Sequence, residues 1–352
     1  MPLQVLHLVG SAVSDFYCDL SRLYARDCLR ATHDPGAYTA HIAYVTPDRR
    51  WRFPEDLSTG GIASAPALSA AQAIAHIGAR QVDVMVPQMF CLPGMTHYRG
   101  LFDLLEIPYV GNPPEVMALS SHKARARAVV AAAGVDVPRG VVVRVGGQAA
   151  IEPPVVVKPV DADNSDGLTL VRDRGRLPEA IASACEHSEA ALVEAYVELG
   201  REVRCGIVVI DGEPIALPLE EYRVDPRDKP IRDAADKLRR DDRGELALVA
   251  KEPSRAWIVD EDDPVTALVW DAARRCHDAL GCRHYSLVDF RIDPAGRPWF
   301  LEAGLYCSFA RQSVISMMAQ AAGIATEELF RNVINAALDA SAVTPISSRS
   351  AT

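Results

Sequence analysis

The sequence predicts an α/β protein of several domains, and three observations support this fold class. The chain has 352 residues, 49% of them hydrophobic, which is enough for two or three globular domains. Short apolar, β-branched segments alternate with segments whose apolar residues recur at helical spacing. Two apolar segments late in the chain, Tyr285–Ile292 and Pro298–Glu302, flank a turn-forming Asp-Pro-Ala-Gly sequence and predict a β-hairpin.

Residues 1–115 are predicted to form a small doubly wound domain. An apolar strand at Leu3–Val9 is followed by Gly10-Ser11 and by a helix at Asp15–Arg30. The alternation continues with strands at Tyr38–Val45, Val82–Pro87 and Tyr109–Val110 and helices at Ser69–Gly78 and Leu101–Leu105. The segment Pro87–Arg99 follows a strand where open α/β sheets bind ligands, although an ordinary loop is an equal alternative. The glycine and prolines at 111–114 mark the domain boundary.

Residues 116–200 are predicted to form a second α/β unit and residues 201–340 a third, with a flexible tail at 341–352. The second unit has a helix at Val116–Ala133 and strands at Val141–Val145, Val155–Pro159 and Ala191–Val197. The third has a strand at Arg201–Ile210, a long charged loop at Glu220–Arg243, and helices at Val265–Leu280, Ser313–Gly323 and Glu327–Leu338. Long loops in compact domains are often functional, so the charged segment is a candidate lid.

Lys158 ends an all-valine strand and is followed by a small, polar loop at 161–167. An ammonium in such a place is costly unless an anion pairs with it. A lysine before a Ser/Gly-containing loop suits a phosphate group, which the charge and the backbone N–H groups would bind. The alternative is a lysine that extends to solvent beside a plain turn.

The hairpin contains two acids among apolar residues. If its turn centres between Ala295 and Gly296, Asp289 lies opposite Glu302, with Cβ atoms ~5 Å apart. Two such carboxylates require either a proton or a divalent cation between them, and oxygen ligands favour Mg²⁺ or Mn²⁺. A hairpin slipped by one residue would instead send one acid to solvent.

Composition excludes several classes of function. The formal charge of −10 argues against nucleic acid and anionic membranes as partners and favours small molecules. Apolar segments are too short to span a membrane and no secretory leader is recognisable, so we expect a cytoplasmic protein. The eight cysteines contain no CxxC pair, which disfavours structural zinc and indicates reduced thiols.

The order of five features along the chain resembles the ATP-grasp enzymes, in particular the D-alanine:D-alanine ligase branch. These features are a strand lysine, a polar loop, a strand glutamate, a charged lid and a pair of acids on a hairpin. The resemblance covers the chain to about residue 335 and implies three α/β domains, ATP and Mg²⁺ (or Mn²⁺) as cofactors, and a homodimer. It is strongest over Tyr109–Lys123, Val155–Gly167 and Val288–Gly323.

The resemblance also implies roles for individual residues. Lys123 and Lys158 would contact the ATP phosphates, together with the loop residues Asn164, Ser165 and Gly167. Glu194, Tyr196 and Val197 would form the adenine hinge, and Glu202 would bind ribose; from the strand alone, a solvated face is an equal interpretation of Glu202. Asp289 and Glu302 would bind magnesium, Lys237 would be the lid lysine, and Ser313 would hold the carboxylate of the incoming amino acid.

Several positions depart from the family pattern. The family's third metal ligand, an asparagine, is Gly304, and the arginine that stabilises the tetrahedral intermediate is Leu287, with Arg291 a candidate replacement. The phosphate loop is acidic, the N-terminal glutamate that binds the first D-alanine has no clear counterpart, and a different segment stands at 88–96. D-alanine is therefore not expected as the electrophile.

A narrower resemblance fits these departures. The strings HLVGSAV, PQMFCLPGMTHYR, CRHYSLVDFRID and FLEAGLYCSF look like the ligases of mycosporine-like amino acid biosynthesis. This resemblance implies a ligase that joins the amine of Ser, Thr or Gly to mycosporine-glycine through a phosphorylated intermediate, with release of ADP and phosphate. The alternatives are a D-alanine:D-alanine ligase-like dipeptide ligase and a catalytically inactive nucleotide-binding regulator.

Overall fold

The computed structural model describes residues 1–162, 167–225, 230–231, 238–240, 246–248 and 255–343. Within these ranges the strands form four sheets, three of which carry the bulk of the structure. None of the helices in the described ranges is both long and apolar enough to cross a membrane.

The first sheet lies in the N-terminal segment and has the order β3-β2-β1-β4, with β2, β1 and β4 parallel. Its strands are β1 (Leu3–Gly10), β2 (Tyr38–Val45), β3 (Trp51–Arg52) and β4 (Val84–Pro87). The helices of this segment are α1 (Asp15–Ala31), α2 (Thr59–Ser64), α3 (Ala70–Gly78), α4 (Leu92–Met95) and α5 (His97–Leu104). Ser69 caps α3 through a complete capping box with Gln72, which explains where that helix begins.

The second sheet is antiparallel and has the order β5-β8-β6-β7. Its strands are β5 (Gly140–Val143), β6 (Val155–Pro159), β7 (Thr169–Val171) and β8 (Ala191–Ala195). The helices α6 (Pro114–Ser121), α7 (Lys123–Ala132) and α8 (Leu177–Glu186) belong to the same part of the chain. Alternate valines of β6 pack with α8 in one apolar core, which leaves the Lys158 side chain at the end of the strand for the cavity described below.

The third sheet has the order β14-β11-β9-β15-β16, with β10 also paired to β9. Its strands are β9 (Arg201–Ile210), β10 (Glu213–Ala216), β11 (Glu220–Tyr222), β14 (Ala256–Ile258), β15 (Tyr285–Ile292) and β16 (Pro298–Ala303). A separate two-stranded ladder joins β12 (Leu238–Arg240) to β13 (Leu246–Leu248). The remaining helices are α9 (Pro264–Leu280), α10 (Val314–Ala321) and α11 (Thr326–Val343).

A β-bulge in the β15–β16 hairpin determines which way Glu302 points. Ile292 pairs with Pro298 and Phe290 with Phe300, so the turn centres on Ala295, half a residue earlier than predicted. The register then shifts by one residue, and Asp289 pairs with Glu302 as predicted. In an unbroken strand Glu302 would share the face of Phe300, which is buried in the core. The bulge places it on the Asp289 face instead.

Residues 111–112 attach the N-terminal segment to the third sheet. The Asn112 side chain donates to the carbonyls of Tyr285 (3.0 Å) and Leu305 (3.1 Å). Gly111 has a φ of +90°, and a Cβ there would lie 2.3 Å from the Tyr285 hydroxyl, so only glycine fits. Burial lowers the pKa of His284 to about 3, which keeps the ring neutral and its Nδ1 able to accept the Gly111 N–H.

The structure confirms most predicted elements and corrects four. The helix predicted at Val116–Ala133 is two helices, because His122 adopts extended backbone and caps α7. The Lys123 N–H then bonds the Val160 carbonyl at 2.7 Å, so Lys123 begins a helix that abuts the end of β6. The segment at Tyr109–Val110 forms only a single bridge to Met85.

The other two corrections concern strand and loop lengths. The charged segment predicted as a loop from Glu220 begins as β11, within the third sheet, because its first residues pair with β9. The strand predicted to reach Val197 ends at Ala195. The last predicted helix is confirmed as α11 and continues to Val343, past the predicted start of the tail. The three domain ranges remain predictions; each of the three larger sheets lies within one of them.

Candidate active site

One cleft between the second and third sheets collects most of the residues predicted for the site. The predicted residues in its wall are Lys123, Lys158, Glu194, Val197, Glu202, Asp289, Arg291 and Glu302. Aliphatic side chains line the rest: Pro138, Val156, Leu168, Ala195, Ile231 and Leu301. A cleft with an aliphatic wall and charged groups at defined places can hold a flat ring that carries an anionic tail.

Lys158 is paired with an anion inside the cleft and does not extend to solvent. Its Nζ lies 2.7 Å from Glu194 Oε2, and both side chains are less than 10% exposed. Nζ also lies 3.3 Å from the carbonyl oxygen of Leu301, the bulged residue of the hairpin. Arg127 approaches the other side of the same carboxylate, with Nε 3.0 Å from Oε1. Glu194 therefore has two cations, of which Lys158 is the one that lines the cleft.

Glu202 lies at another part of the wall and is buried. Its carboxylate accepts from Arg291 Nη2 at 2.7 Å. The interpretation of Glu202 as part of a solvated strand face was therefore wrong. Arg291 also donates to the carbonyls of Val197 (3.3 Å) and Pro230 (2.8 Å), and its guanidinium lies over the Tyr196 ring at 5.2 Å. This places Arg291 at the predicted hinge and ribose positions.

The predicted phosphate loop is described only at its ends. Lys123 Nζ donates to the Ala162 carbonyl just before it. Gly167 follows it with a φ of +69°, and a Cβ there would lie 2.8 Å from the His187 ring, so the return of the loop requires glycine. The predicted residues Asn164 and Ser165, and the lid lysine Lys237, lie outside the described residues.

The acid pair on the hairpin has a neighbour that the sequence did not reveal. Arg204, opposite Asp289 on β9, makes a bidentate contact with it: Nε donates to Oδ1, and Nη2 to Oδ2 at 2.7 Å. Burial alone would lower the pKa of the Arg204 guanidinium, but Asp289 more than offsets this and holds it well above its ordinary value. The sequence prediction allowed only a proton or a metal ion to relieve the two acids. It was incomplete, because this guanidinium balances Asp289.

The donor set fits Mg²⁺ better than a metal held by protein ligands alone. Among the described residues no group of three or more His, Cys, Asp or Glu side chains is placed to hold a metal. Two carboxylates, Asp289 and Glu302, line the same cleft as the lysines, and Gly304 adds no side chain. Mg²⁺ commonly binds through one or two carboxylates, with nucleotide phosphates and water completing its octahedron.

Ser313 lies apart from the cleft wall, at the N-terminus of α10. It is the N-cap residue, but its hydroxyl donates to the Ser308 carbonyl and lies 2.9 Å from the Ser316 hydroxyl. The side chain is buried and held at one position. Its one hydroxyl hydrogen is donated to a backbone carbonyl, so contact with a substrate carboxylate would require this bond to be exchanged.

Three aromatic residues contact one another in series, and the first of them, Tyr24, feels the charge of Arg204. Tyr24 on α1 makes an edge contact with Phe90 at 5.4 Å, and Phe90 contacts Tyr306 at 5.5 Å. Burial raises the pKa of Tyr24 to about 12, and the charge of Arg204 acts in the opposite direction. Phe90 belongs to the predicted ligand segment at 87–99, whose later residues form α4 and begin α5. We call Tyr24, Phe90 and Tyr306 the aromatic wall.

Comparison with known proteins gives a family match and close matches in fold. Residues 144–335 match the family model described as D-ala D-ala ligase C-terminus. A D-alanine–D-alanine ligase from Gloeobacter violaceus is 32% identical over 249 residues, covering 68% of this chain and 77% of the relative. One from Nocardia farcinica is 33% identical over 248 residues, covering 68% of this chain and 65% of the relative.

Solved structures match over nearly the whole chain. VanG D-Ala:D-Ser ligase from Enterococcus faecalis superposes with a TM-score of 0.78 at 21% identity, covering 96% of this chain and 99% of that one. D-alanine–D-alanine ligase from Bacillus anthracis complexed with ATP superposes with a TM-score of 0.70 at 17% identity, covering 97% and 99%. At these identities the superpositions bear on the fold alone.

Proposed function

Because this chain belongs to the D-alanine–D-alanine ligase C-terminus family, we propose that it joins the amine of an amino acid to an electrophile that ATP has activated. Its fold is the ATP-grasp fold of that family, as predicted from the order of its motifs. It is an ATP-dependent, ADP-forming C–N ligase with ATP and Mg²⁺ as cofactors.

The observation that carries the assignment of the nucleotide site is the composition of the cleft. The aliphatic residues suit an adenine ring, and Glu202 lies where a carboxylate can accept from ribose hydroxyls. Lys123 and Lys158 supply positive charge, and Asp289 and Glu302 on the hairpin supply carboxylates. One cleft therefore contains the kinds of group that a nucleoside triphosphate with its cation needs.

The roles of the residues follow from charge. ATP would supply the phosphoryl group that converts an oxygen of the electrophile into a leaving group. Lys158 would exchange its contact with Glu194 for phosphate and screen the charge that develops during transfer, and Lys237 is proposed to act with it from the lid. Asp289 and Glu302 would hold the cation, and Ser313 would orient the amino acid by its carboxylate.

The relatives favour a dipeptide ligase, in which the electrophile is itself an amino acid. The named ligases that this chain resembles are D-alanine–D-alanine and D-Ala:D-Ser ligases, and they give no support to the narrower resemblance to mycosporine-glycine ligases. The alternative of a D-alanine ligase-like enzyme fits them better than the function expected from the sequence.

Mycosporine-glycine remains a second candidate because of the aromatic wall. Tyr24, Phe90 and Tyr306 form a continuous aromatic surface that begins near Arg204, and such a surface suits a conjugated ring better than a methyl group. The absence of the family arginine at Leu287 does not separate the two candidates, because Arg204 presents a guanidinium on the same face of the sheet.

ADP release against a matrix of electrophiles and amino acids tests both candidates. The dipeptide ligase predicts ADP release with D-alanine and a dipeptide mass. The second candidate predicts ADP release with mycosporine-glycine plus Ser, Thr or Gly, and a product whose near-ultraviolet absorbance is shifted to the red. ATP binding without electrophile-dependent ADP release would contradict both and indicate a nucleotide-binding regulator.

A further inference from the structure

Arg204 reaches the face of the sheet where the family resemblance expects an arginine from the neighbouring strand. Asp289 lies opposite Arg204 and Leu287 lies opposite Gly206, so all four residues face the same side. Arg204 and Leu287 are diagonal neighbours, a distance of roughly 7–8 Å that a long side chain can span. Leu287 itself packs against the apolar cluster of α10 and α11. The guanidinium is thus supplied from β9.

The surroundings of Arg204 differ from those of a structural ion pair. Its guanidinium lies 5.4 Å from the centre of the Tyr222 ring and acts electrostatically on Tyr24, which belongs to the aromatic wall. Arg201, three residues earlier on the same strand, is also bidentate, with Glu221 at 2.6 Å and Asp263 at 2.9 Å. Those partners are outside the cleft wall, whereas the partner of Arg204 is a predicted metal ligand.

A metal ion and Arg204 compete for one carboxylate. Both Asp289 oxygens accept from the guanidinium in this structure. A divalent cation on the same oxygens would meet a like charge within hydrogen-bond distance, and this repulsion disfavours the simultaneous presence of both cations. Once displaced, the guanidinium keeps the Tyr222 ring face and the attraction of Glu220, which lies opposite it on β11. The donors that Asp289 releases would then bind an anion of the substrate.

We propose that Arg204 is a specificity-determining residue of the electrophile subsite, held on Asp289 until a divalent cation takes that carboxylate and then bound to an anionic oxygen of the electrophile. This inference rests on the proposed function. The anionic oxygen is a carboxylate of the electrophile or an oxygen of the phosphoryl group transferred to it. Bidentate recognition of such groups is what a guanidinium does best.

The test measures cation affinity and substrate affinity separately. Mn²⁺ is titrated into the protein with ADP present, and free Mn²⁺ is followed by electron paramagnetic resonance. Arg204→Gln is expected to bind Mn²⁺ several-fold more tightly than wild type, because the competing charge is gone. The electrophile is whichever of D-alanine and mycosporine-glycine supports ADP release by the wild-type protein. In Arg204→Gln the KM for this electrophile should rise roughly tenfold or more, while the KM for ATP changes little.

Two further variants make the result specific. Arg204→Lys keeps the charge but loses the bidentate geometry, so it should raise the electrophile KM without tightening Mn²⁺, and it serves if Arg204→Gln does not fold. Arg201→Gln removes the matched pair outside the cleft and should change folding stability alone.

Unchanged or weaker Mn²⁺ binding in Arg204→Gln, or an unchanged electrophile KM, would overturn the proposal. A wild-type protein that releases no ADP with either electrophile would refute the proposed function instead. The Mn²⁺ affinities would still decide whether Arg204 competes for Asp289.

Discussion

Two parts of the cleft balance a buried carboxylate in different ways. Glu194 is shared by two cations, Lys158 and Arg127, one on each oxygen. Among the described residues, Asp289 has one guanidinium, that of Arg204, which contacts both of its oxygens. Lys158 can therefore turn to a phosphate while Glu194 keeps a counter-charge. Arg204 can leave Asp289 only if another cation replaces it. Release of Arg204 from Asp289 is therefore coupled to cation binding, whereas release of Lys158 from Glu194 is not.

The largest expected effect is at Asp289, which has one cationic partner among the described residues. Asp289→Ala should abolish ADP formation, because the cation loses a ligand. If the two opposed acids had no cation beside them, removing one would stabilise the metal-free protein. The contact with Arg204 reverses that expectation, since a buried guanidinium loses its bidentate partner and keeps only the electrostatic attraction of Glu220. The free energy of unfolding should therefore fall by about 3 kcal/mol.

Chemical denaturation without metal and steady-state ADP release measure the two effects of Asp289→Ala. Asp293→Ala is the control: its carboxylate bonds Trp299 Nε1 at 2.9 Å in the hairpin turn and is absent from the cleft wall. ADP formation at the wild-type rate in Asp289→Ala would refute the site.

A smaller effect is expected where two cations share the carboxylate. Lys158→Met keeps the apolar stem and removes the charge, so ATP affinity should weaken by roughly 1–3 kcal/mol. Unfolding free energy should change little, because Arg127 still pairs with Glu194. Calorimetric titration with ATP and thermal unfolding measure the two quantities.

The matched variant is Arg127→Gln, which removes the other cation from Glu194. Because Arg127 does not line the cleft, ATP affinity should stay near the wild-type value. Equal losses of ATP affinity in both variants would mean that Lys158 acts only by positioning Glu194.

The smallest effect is expected from giving Asp289 a second cation. Leu287→Arg would make this part of the cleft resemble the one at Glu194, with a further positive charge competing for the same carboxylate. We expect kcat/KM for ADP release to fall by roughly tenfold, equivalent to about 1.4 kcal/mol. Leu287→Met keeps volume and charge, so it should be nearly neutral. Faster turnover in Leu287→Arg would mean that Arg204 does not supply the positive charge that the reaction needs in the wild-type protein.

The sequence predicts local features of this site well. The hairpin follows from a turn sequence between two apolar segments that lie within about twenty residues. The pairing of Asp289 with Glu302 was predicted correctly, although it depends on a bulge that offsets the earlier position of the turn and that the sequence did not reveal. Lys158 is conspicuous because an all-valine strand predicts burial, and a buried lysine needs an anion. The break at His122 is harder to predict, because it depends on the bond between Lys123 and Val160, residues far apart in sequence.

The contact between Arg204 and Asp289 could not be predicted in this way. It spans 85 residues and depends on the register of β9 against β15, which the single sequence does not reveal. The sequence of β9 allowed either ribose binding by Glu202 or a solvated strand face. Only the pairing with β15 shows that Arg204 lies opposite Asp289 and Glu202 opposite Arg291.

The bulge at Leu301 compensates for the position of the turn. With the turn centred on Ala295, Phe300 pairs with Phe290, and a regular ladder would place Leu301 opposite Asp289 and Glu302 opposite Val288. The extra residue brings Glu302 opposite Asp289 instead, and the Leu301 carbonyl lies 3.3 Å from Lys158 Nζ. Deleting Leu301 would leave Glu302 next to Phe300 and still opposite Asp289. A relative that lacks the bulged residue would therefore keep the acid pair and lose a contact to the lysine of the cleft.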